Sequence, residues 1–215
     1  MQSADGSWSK VAGKSRRQRR SGLLSMTEWA SADLPVRSAH EAPPQVVSYG
    51  TAVRKKRTTM MNNITKILFV CHGNICRSPM AEFVMKELLK KCGKSDLFYV
   101  ESAATSTEEL GNPVYPPARE VMLRHGIDCS GKYARQIRSL DYAEFDYIIG
   151  MDRRNLTNML RFWGSDPEGK ISLLMSYTGS DREVADPWYT GNFDATWNDI
   201  NSGCSSFLNQ VLLAD

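Results

Sequence analysis

Val70-Cys71-His72-Gly73-Asn74-Ile75-Cys76-Arg77-Ser78-Pro79 follows the apolar run Ile67-Leu68-Phe69-Val70 and precedes an amphipathic stretch over roughly 78–91. Strand, tight turn and helix in that order place backbone N–H groups around an anion. Cys71 stands at the start of the turn, and Arg77 six positions later closes it. A thiol at a helix start beside a guanidinium is held as the thiolate, the form that attacks phosphorus. Gly73 reads as the residue that takes dihedrals closed to others, so that successive amides turn inward. Arg77 supplies a planar fork for two oxygens of a tetrahedral oxyanion. Pro79 suits the first helical turn. Asn74 and Ser78 are short hydrogen-bonding residues fit to lock the loop, and Ser78 can donate to the cysteine sulfur. The nucleotide loop Gly-x4-Gly-Lys-Ser/Thr is absent from the chain, so nothing points to a kinase-type phosphate site.

Strands and helices alternate from residue 64 onward. Ile64 to Val70 reads as the first strand and Ser78 to Lys91 as its helix, with Met80, Val84 and Leu88 along one face. Leu97 to Ser102 is the second strand. Pro116 to His125 is a helix stopped at Gly126, with His125 as its cap. Phe145 to Gly150 is the third strand, Asp152 caps a helix to about Trp163, and Lys170 to Met175 is the fourth strand. The last helix carries Phe193, Trp197, Ile200, Phe207, Leu208 and Val211 as core. This is an α/β pattern, a parallel sheet covered by helices on both faces, with ligands at the carboxyl ends of the strands.

Residues 1–60 hold 11 Lys or Arg against 4 Asp or Glu, and the remainder 16 against 20. The overall +3 therefore joins a basic segment to an acidic domain. Residues 1–62 read as an extension expected to be disordered, with basic clusters at Lys14 to Arg20 and Arg54 to Arg57. The other reading starts the protein at Met60 or Met61; both stay open. Residues 63–215 form the domain.

The five cysteines are odd in number and irregularly spaced, and no secretory signal precedes them, so reduced thiols and a cytoplasmic location are expected. Cys92, Cys129 and Cys204 read as small buried or half-buried residues. Cys76 shares the loop with Cys71 and is expected to trap an oxidised Cys71 as a disulfide. Mass spectrometry after mild peroxide tests this: irreversible acids on Cys71 beside an intact Cys76 would dispose of it. The three histidines are scattered, and neither a metal nor a cofactor is expected.

The loop resembles the signature of low-molecular-weight protein tyrosine phosphatases, and Asp186-Pro187-Trp188-Tyr189 resembles that family's Asp-Pro-aromatic loop. The likeness covers roughly residues 64–212. On local sequence alone Asp186-Pro187 reads as a surface turn; the resemblance makes Asp186 the acid that protonates the leaving phenol. Trp188 and Tyr189 are either rings flanking a substrate aromatic or anchors for their loop. The resemblance implies four parallel strands, a Ser102 that bonds Asn74, and a pocket wall over Thr105 to Asn112. That wall carries Glu108, Glu109 and Leu110, which should disfavour acidic phosphopeptides. Lys132 stands where many members have histidine. The loop residues His72, Gly73, Asn74, Ile75, Cys76 and Ser78, with Ser102, Trp188 and Tyr189, complete the expected substrate site around Cys71, Arg77 and Asp186. The expected substrate is a phosphotyrosine protein or small aryl phosphate and the product inorganic phosphate, with no nucleic acid or membrane partner for the core. Two rivals share the fold. Thioredoxin-coupled arsenate reductases need closely spaced downstream cysteines, where this chain has Cys129 alone. Protein-arginine phosphatases carry threonine in place of Ile75. A phosphate-binding module without activity would lack Cys71 or Asp186.

Overall fold

β1 (Thr65–Cys71) is the strand that the apolar run predicts, shifted by one residue so that Ile64 falls outside it and Cys71 is its last member. The computed structural model describes residues 64–213. The extension expected over 1–62, with its alternative start at Met60 or Met61, lies outside the described residues. Ile67, Leu68, Phe69 and Val70 are each fully buried, the mark of a strand covered on both faces.

β1 pairs in parallel with β2 (Phe98–Ala104) on one edge and with β3 (Tyr147–Gly150) on the other. β4 (Ile171–Leu173) completes a four-stranded sheet in the order β2-β1-β3-β4. Parallel neighbours need crossovers. The first is α1 (Arg77–Lys91); α2 (Pro116–Arg124) and α3 (Asp141–Glu144) lie between β2 and β3, and α4 (Arg153–Trp163) leads to β4. α5 (Pro187–Thr190) and α6 (Phe193–Leu213) follow. Side chains alternate across the sheet. Leu68, Val70, Ala103 and Ile148 pack with Met159, Leu156 and Trp163 of α4. Tyr147 points the other way and meets Phe207 of α6 edge-on, with centroids 5.1 Å apart. α1 packs against α6 on that side. Each fully buried Phe, Leu or Ile contributes roughly 1.5–3 kcal/mol.

The structure departs from the expected pattern at several places, β2 among them, which runs over Phe98–Ala104 instead of Leu97 to Ser102. Leu88 is half-buried, because a strict four-residue spacing drifts by about 40° per step on a helix; Met85 and Leu89 take the buried face. Phe145 precedes β3 as the C-cap of α3, although it is core. Leu174 and Met175 leave the sheet for a 3-10 helix (Leu174–Thr178) buried against α6. At that contact a Cβ on Gly203 would lie 2.6 Å from Leu174 Cγ, so α6 needs glycine there. His125 is the C-cap of α2, and its ring stacks flat on Trp197 at 3.9 Å. Cys129 and Cys204 are buried, but Cys92 is exposed, because it caps the C-terminus of α1 at the surface. Among the described residues no helix is long and apolar enough to cross a membrane.

Asp141 is fully buried at the start of α3. It accepts from Arg135 Nη1 at 2.8 Å, from Arg138 N at 2.9 Å, and from Arg138 Nη2 at 2.8 Å. Burial alone would raise its pKa; the bonds from Arg135 and Arg138 outweigh burial and lower it. A depressed carboxyl stabilises the fold above its unfolded value and loses that contribution as pH falls through the folded one. The expected stability loss therefore begins at about pH 4 and deepens below it. Asp141→Asn is expected to cost about 3 kcal/mol at neutral pH, since it leaves the arginines facing an amide. Urea denaturation at pH 7 checks this, and the deficit should shrink in acid.

Candidate active site

Cys71 ends β1, nearly buried, and its Sγ accepts from the backbone N–H of Asn74 at 3.3 Å. Ser78 Oγ, on the first turn of α1, lies 3.0 Å from the same sulfur. The carbonyls of the loop face the surrounding chain. Cys71 O takes Thr105 N at 2.9 Å, His72 O takes Ser106 N at 3.0 Å, and Ile75 O takes Tyr115 N at 2.8 Å. Cys76 O takes Met80 N at 3.1 Å as α1 begins.

The left-handed position in this turn is Asn74, with φ of 57°, and not Gly73 as the sequence leads one to expect. Asparagine tolerates that region because its short amide bonds locally. Nδ2 donates to Ser78 Oγ and to Ser102 Oγ, each at 2.8 Å, and Oδ1 accepts from Arg135 N at 3.1 Å. Gly73 lies close under Glu109: a Cβ there would stand 3.1 Å from Glu109 Cγ, so that side chain would have to give by a few tenths of an ångström. The contact expected between Ser102 and Asn74 is thus present.

Arg77 is buried and stretched between two helix N-caps. Asp152 caps α4 with Oδ1, accepting from Asn155 N at 2.6 Å, while its Oδ2 takes Arg77 Nη1 at 2.7 Å. Asp186 caps α5 with Oδ1, accepting from Trp188 N at 3.1 Å, while its Oδ2 pairs with Arg77 Nη2 at 2.7 Å. Burial would lower the pKa of the guanidinium; the negative charges of Cys71, Asp186 and Asp152 outweigh burial and raise it. Arg77 is thus tied to both Asp152 and Asp186 beside the loop that ends β1 at Cys71. The backbone at Asp186 is extended, as the following proline demands. Burial pushes the Cys76 thiol well up, helped by the charges of Cys71 and Asp186.

Around the mouth, His72 turns outward and its Nε2 meets Glu108 Oε2 at 3.2 Å. Glu109 lies over Gly73 and accepts from Asn112 Nδ2 at 2.6 Å. Ile75 is buried. Trp188 is half-buried, tilted on Tyr115 with centroids 5.5 Å apart, and Tyr189 is largely exposed. Trp188 is thus braced by its own fold, while Tyr189 is open to solvent.

Sequence reading missed three members of this site. Asp152 was read only as a cap, although its place just beyond β3, at the carboxyl end of the sheet, was a signal. Tyr115 supports both the loop, through Ile75, and Trp188. Glu82, buried on α1, carried no sequence signal beyond a charge on an amphipathic helix.

A family model described as low molecular weight phosphotyrosine protein phosphatase matches residues 66–214. The chain is 39% identical over 147 residues to the Bacillus subtilis low molecular weight protein-tyrosine-phosphatase YfkJ, covering 67% of this chain and 94% of that protein. The crystal structure of YfkJ superposes with a TM-score of 0.68 at 38% identity, over 70% of this chain and 96% of that one. A Drosophila structure described as an arginine phosphatase superposes with a TM-score of 0.63 at 34% identity, over 68% of this chain and 98% of that one.

Proposed function

The chain belongs to the low molecular weight phosphotyrosine protein phosphatase family, and on that premise we propose that it hydrolyses phosphotyrosine through a cysteinyl-phosphate intermediate. The observation that carries this reading is the Arg77 guanidinium bonded to Asp186 at 2.7 Å, in the cup whose base is the Cys71 sulfur. The loop N–H groups and Arg77 hold the equatorial oxygens of the phosphoryl group. Cys71 Sγ attacks phosphorus, the S–P bond forms, and the P–O bond to the phenol breaks. Asp186, protonated, gives its proton to the departing oxygen. Water then attacks phosphorus while Asp186, now a carboxylate, takes its proton. Inorganic phosphate leaves and the thiolate returns. No step calls for a metal, and activity is expected to survive a chelator. Cys76 lies in the same loop as Cys71, which supports reversible shut-off by peroxide through a disulfide between them.

The likeness to a structure described as an arginine phosphatase supports a second reading, phosphoarginine as substrate. Ile75, in place of the threonine such members carry, favours the tyrosine ester. The test is the kcat/KM of the purified protein on phosphotyrosine, phosphoarginine, phosphoserine and arsenate with thioredoxin. Phosphotyrosine is expected to lead by at least tenfold, and a lead for any other substrate overturns the assignment. Glu108 and Glu109 at the mouth add a charge preference. Phosphotyrosine peptides flanked by Lys or Arg should exceed acid-flanked ones several-fold at low salt, and the gap should narrow as salt rises.

A further inference from the structure

We propose that Lys132 is a positioning residue for this reaction: its ammonium, through Glu82, sets the direction in which a buried chain of hydrogen bonds donates toward the nucleophilic sulfur. The inference rests on Cys71 as nucleophile.

Glu82 lies on α1, one turn past Ser78, and is buried. Its Oε2 accepts from Lys132 Nζ at 2.7 Å and from Ser102 Oγ at 2.6 Å. Its Oε1 accepts from Lys86 Nζ at 2.6 Å. These are the groups that face it: Lys86 from its own helix, Ser102 from β2, and Lys132 from the loop after Gly131. Lys132 is largely buried and also donates to Ser102 O at 3.2 Å, whereas Lys86 is half exposed and screened by water.

A carboxylate between ammonium groups can only accept. Ser102 has one proton and must give it to Glu82. Its oxygen then receives from Asn74 Nδ2. The orientation of the Asn74 amide is fixed at its other end, because Arg135 N–H is a donor and must meet Oδ1. The second hydrogen on Nδ2 goes to Ser78 Oγ. Ser78 therefore keeps its own proton for Cys71 Sγ at 3.0 Å, the rival acceptor being Ala103 O at 3.4 Å. Were Glu82 neutral, it could donate to Ser102, whose proton would then turn against Asn74, and the sense of the chain would be lost. Lys132 forbids that arrangement.

The experiment compares Lys132→Met, Lys132→Arg and Glu82→Gln with wild type, following kcat and KM on p-nitrophenyl phosphate from about pH 5 to about pH 8. K132M is expected to lose kcat by about 10- to 100-fold at the acid end, with KM little changed. The loss should shrink as pH rises, where the carboxylate form that can only accept is favoured without the ammonium. K132R should recover most of the rate. E82Q, which has nothing to titrate, should be impaired equally at every pH. A merely structural role predicts a K132M loss independent of pH, and that result would falsify the proposal; so would wild-type kcat in K132M or failure of K132R to restore activity. If K132M does not fold, E82Q decides alone: wild-type kcat in it overturns the proposal. Retained turnover in Cys71→Ser would instead remove the parent reading, whatever Lys132 does.

Discussion

Cys71→Ser is expected to lower kcat by about five orders of magnitude or more while the protein still binds inorganic phosphate within a few-fold of wild type. The two halves of this result come from different atoms. Turnover needs a sulfur anion that both attacks and later leaves phosphorus. A hydroxyl in the same place is neither ionised enough nor a good enough leaving group, and losses near 10^6 follow the removal of a nucleophile acting in concert with its partners. Phosphate binding draws on Arg77 and the loop amides, which the substitution leaves in place. Ser78 Oγ and Asn74 N, now on the sulfur at 3.0 and 3.3 Å, can both bond a serine oxygen, so the loop should hold its shape. Rapid-quench kinetics and phosphate titration by calorimetry measure the two halves. Turnover within a hundredfold of wild type would remove Cys71 from the chemistry.

Asp186→Ala is expected to slow phosphotyrosine hydrolysis by about 10^2- to 10^4-fold, the usual range for loss of a general acid. Nitrophenyl phosphate should suffer much less. Tyrosine leaves as a phenolate whose conjugate acid has a pKa of about 10, so it needs the proton. Nitrophenolate is a far weaker base and leaves largely unaided. The contrast isolates proton donation from the second duty of Asp186, its bond to Arg77 Nη2 at 2.7 Å. Loss of that bond alone would perturb both substrates alike. An equal fall in kcat for the two esters would therefore assign Asp186 to holding Arg77 and not to the leaving group.

The strand, turn and helix around Cys71 were legible because each residue in that stretch answers a local demand: burial on two faces, a close turn, a helix start. The parallel sheet was legible from the repeated alternation of strand and helix from residue 64 onward. Asp186 was not, because an Asp-Pro turn has the same local signature on any surface, and only a resemblance placed it near a loop more than a hundred residues away. Glu82 stayed hidden for a related reason. Hydrophobic periodicity reports which face of an element is covered, and a charged residue on a covered face looks like an error of phase until its partner is seen. Gly73 and Asn74 exchanged roles because spacing shows that a turn exists and not which residue takes the positive φ. The end of β4 was misplaced because Leu174 and Met175 are buried by α6 and not by a neighbouring strand.

The position of β1 between two partners bears on how the molecule opens. Amides flanked on both edges exchange with solvent only when the whole domain unfolds, whereas segments held by a few tethers open at lower free energy. Cys71 ends such a strand. Asp186 sits on a segment tied by Val184 N to Met151 O at 3.0 Å and by Ala185 N to Asp199 Oδ2 at 3.0 Å. Deuterium uptake should therefore reach residues 180–186 long before it reaches 67–71. Mild denaturant should silence proton delivery while the anion cradle is still intact.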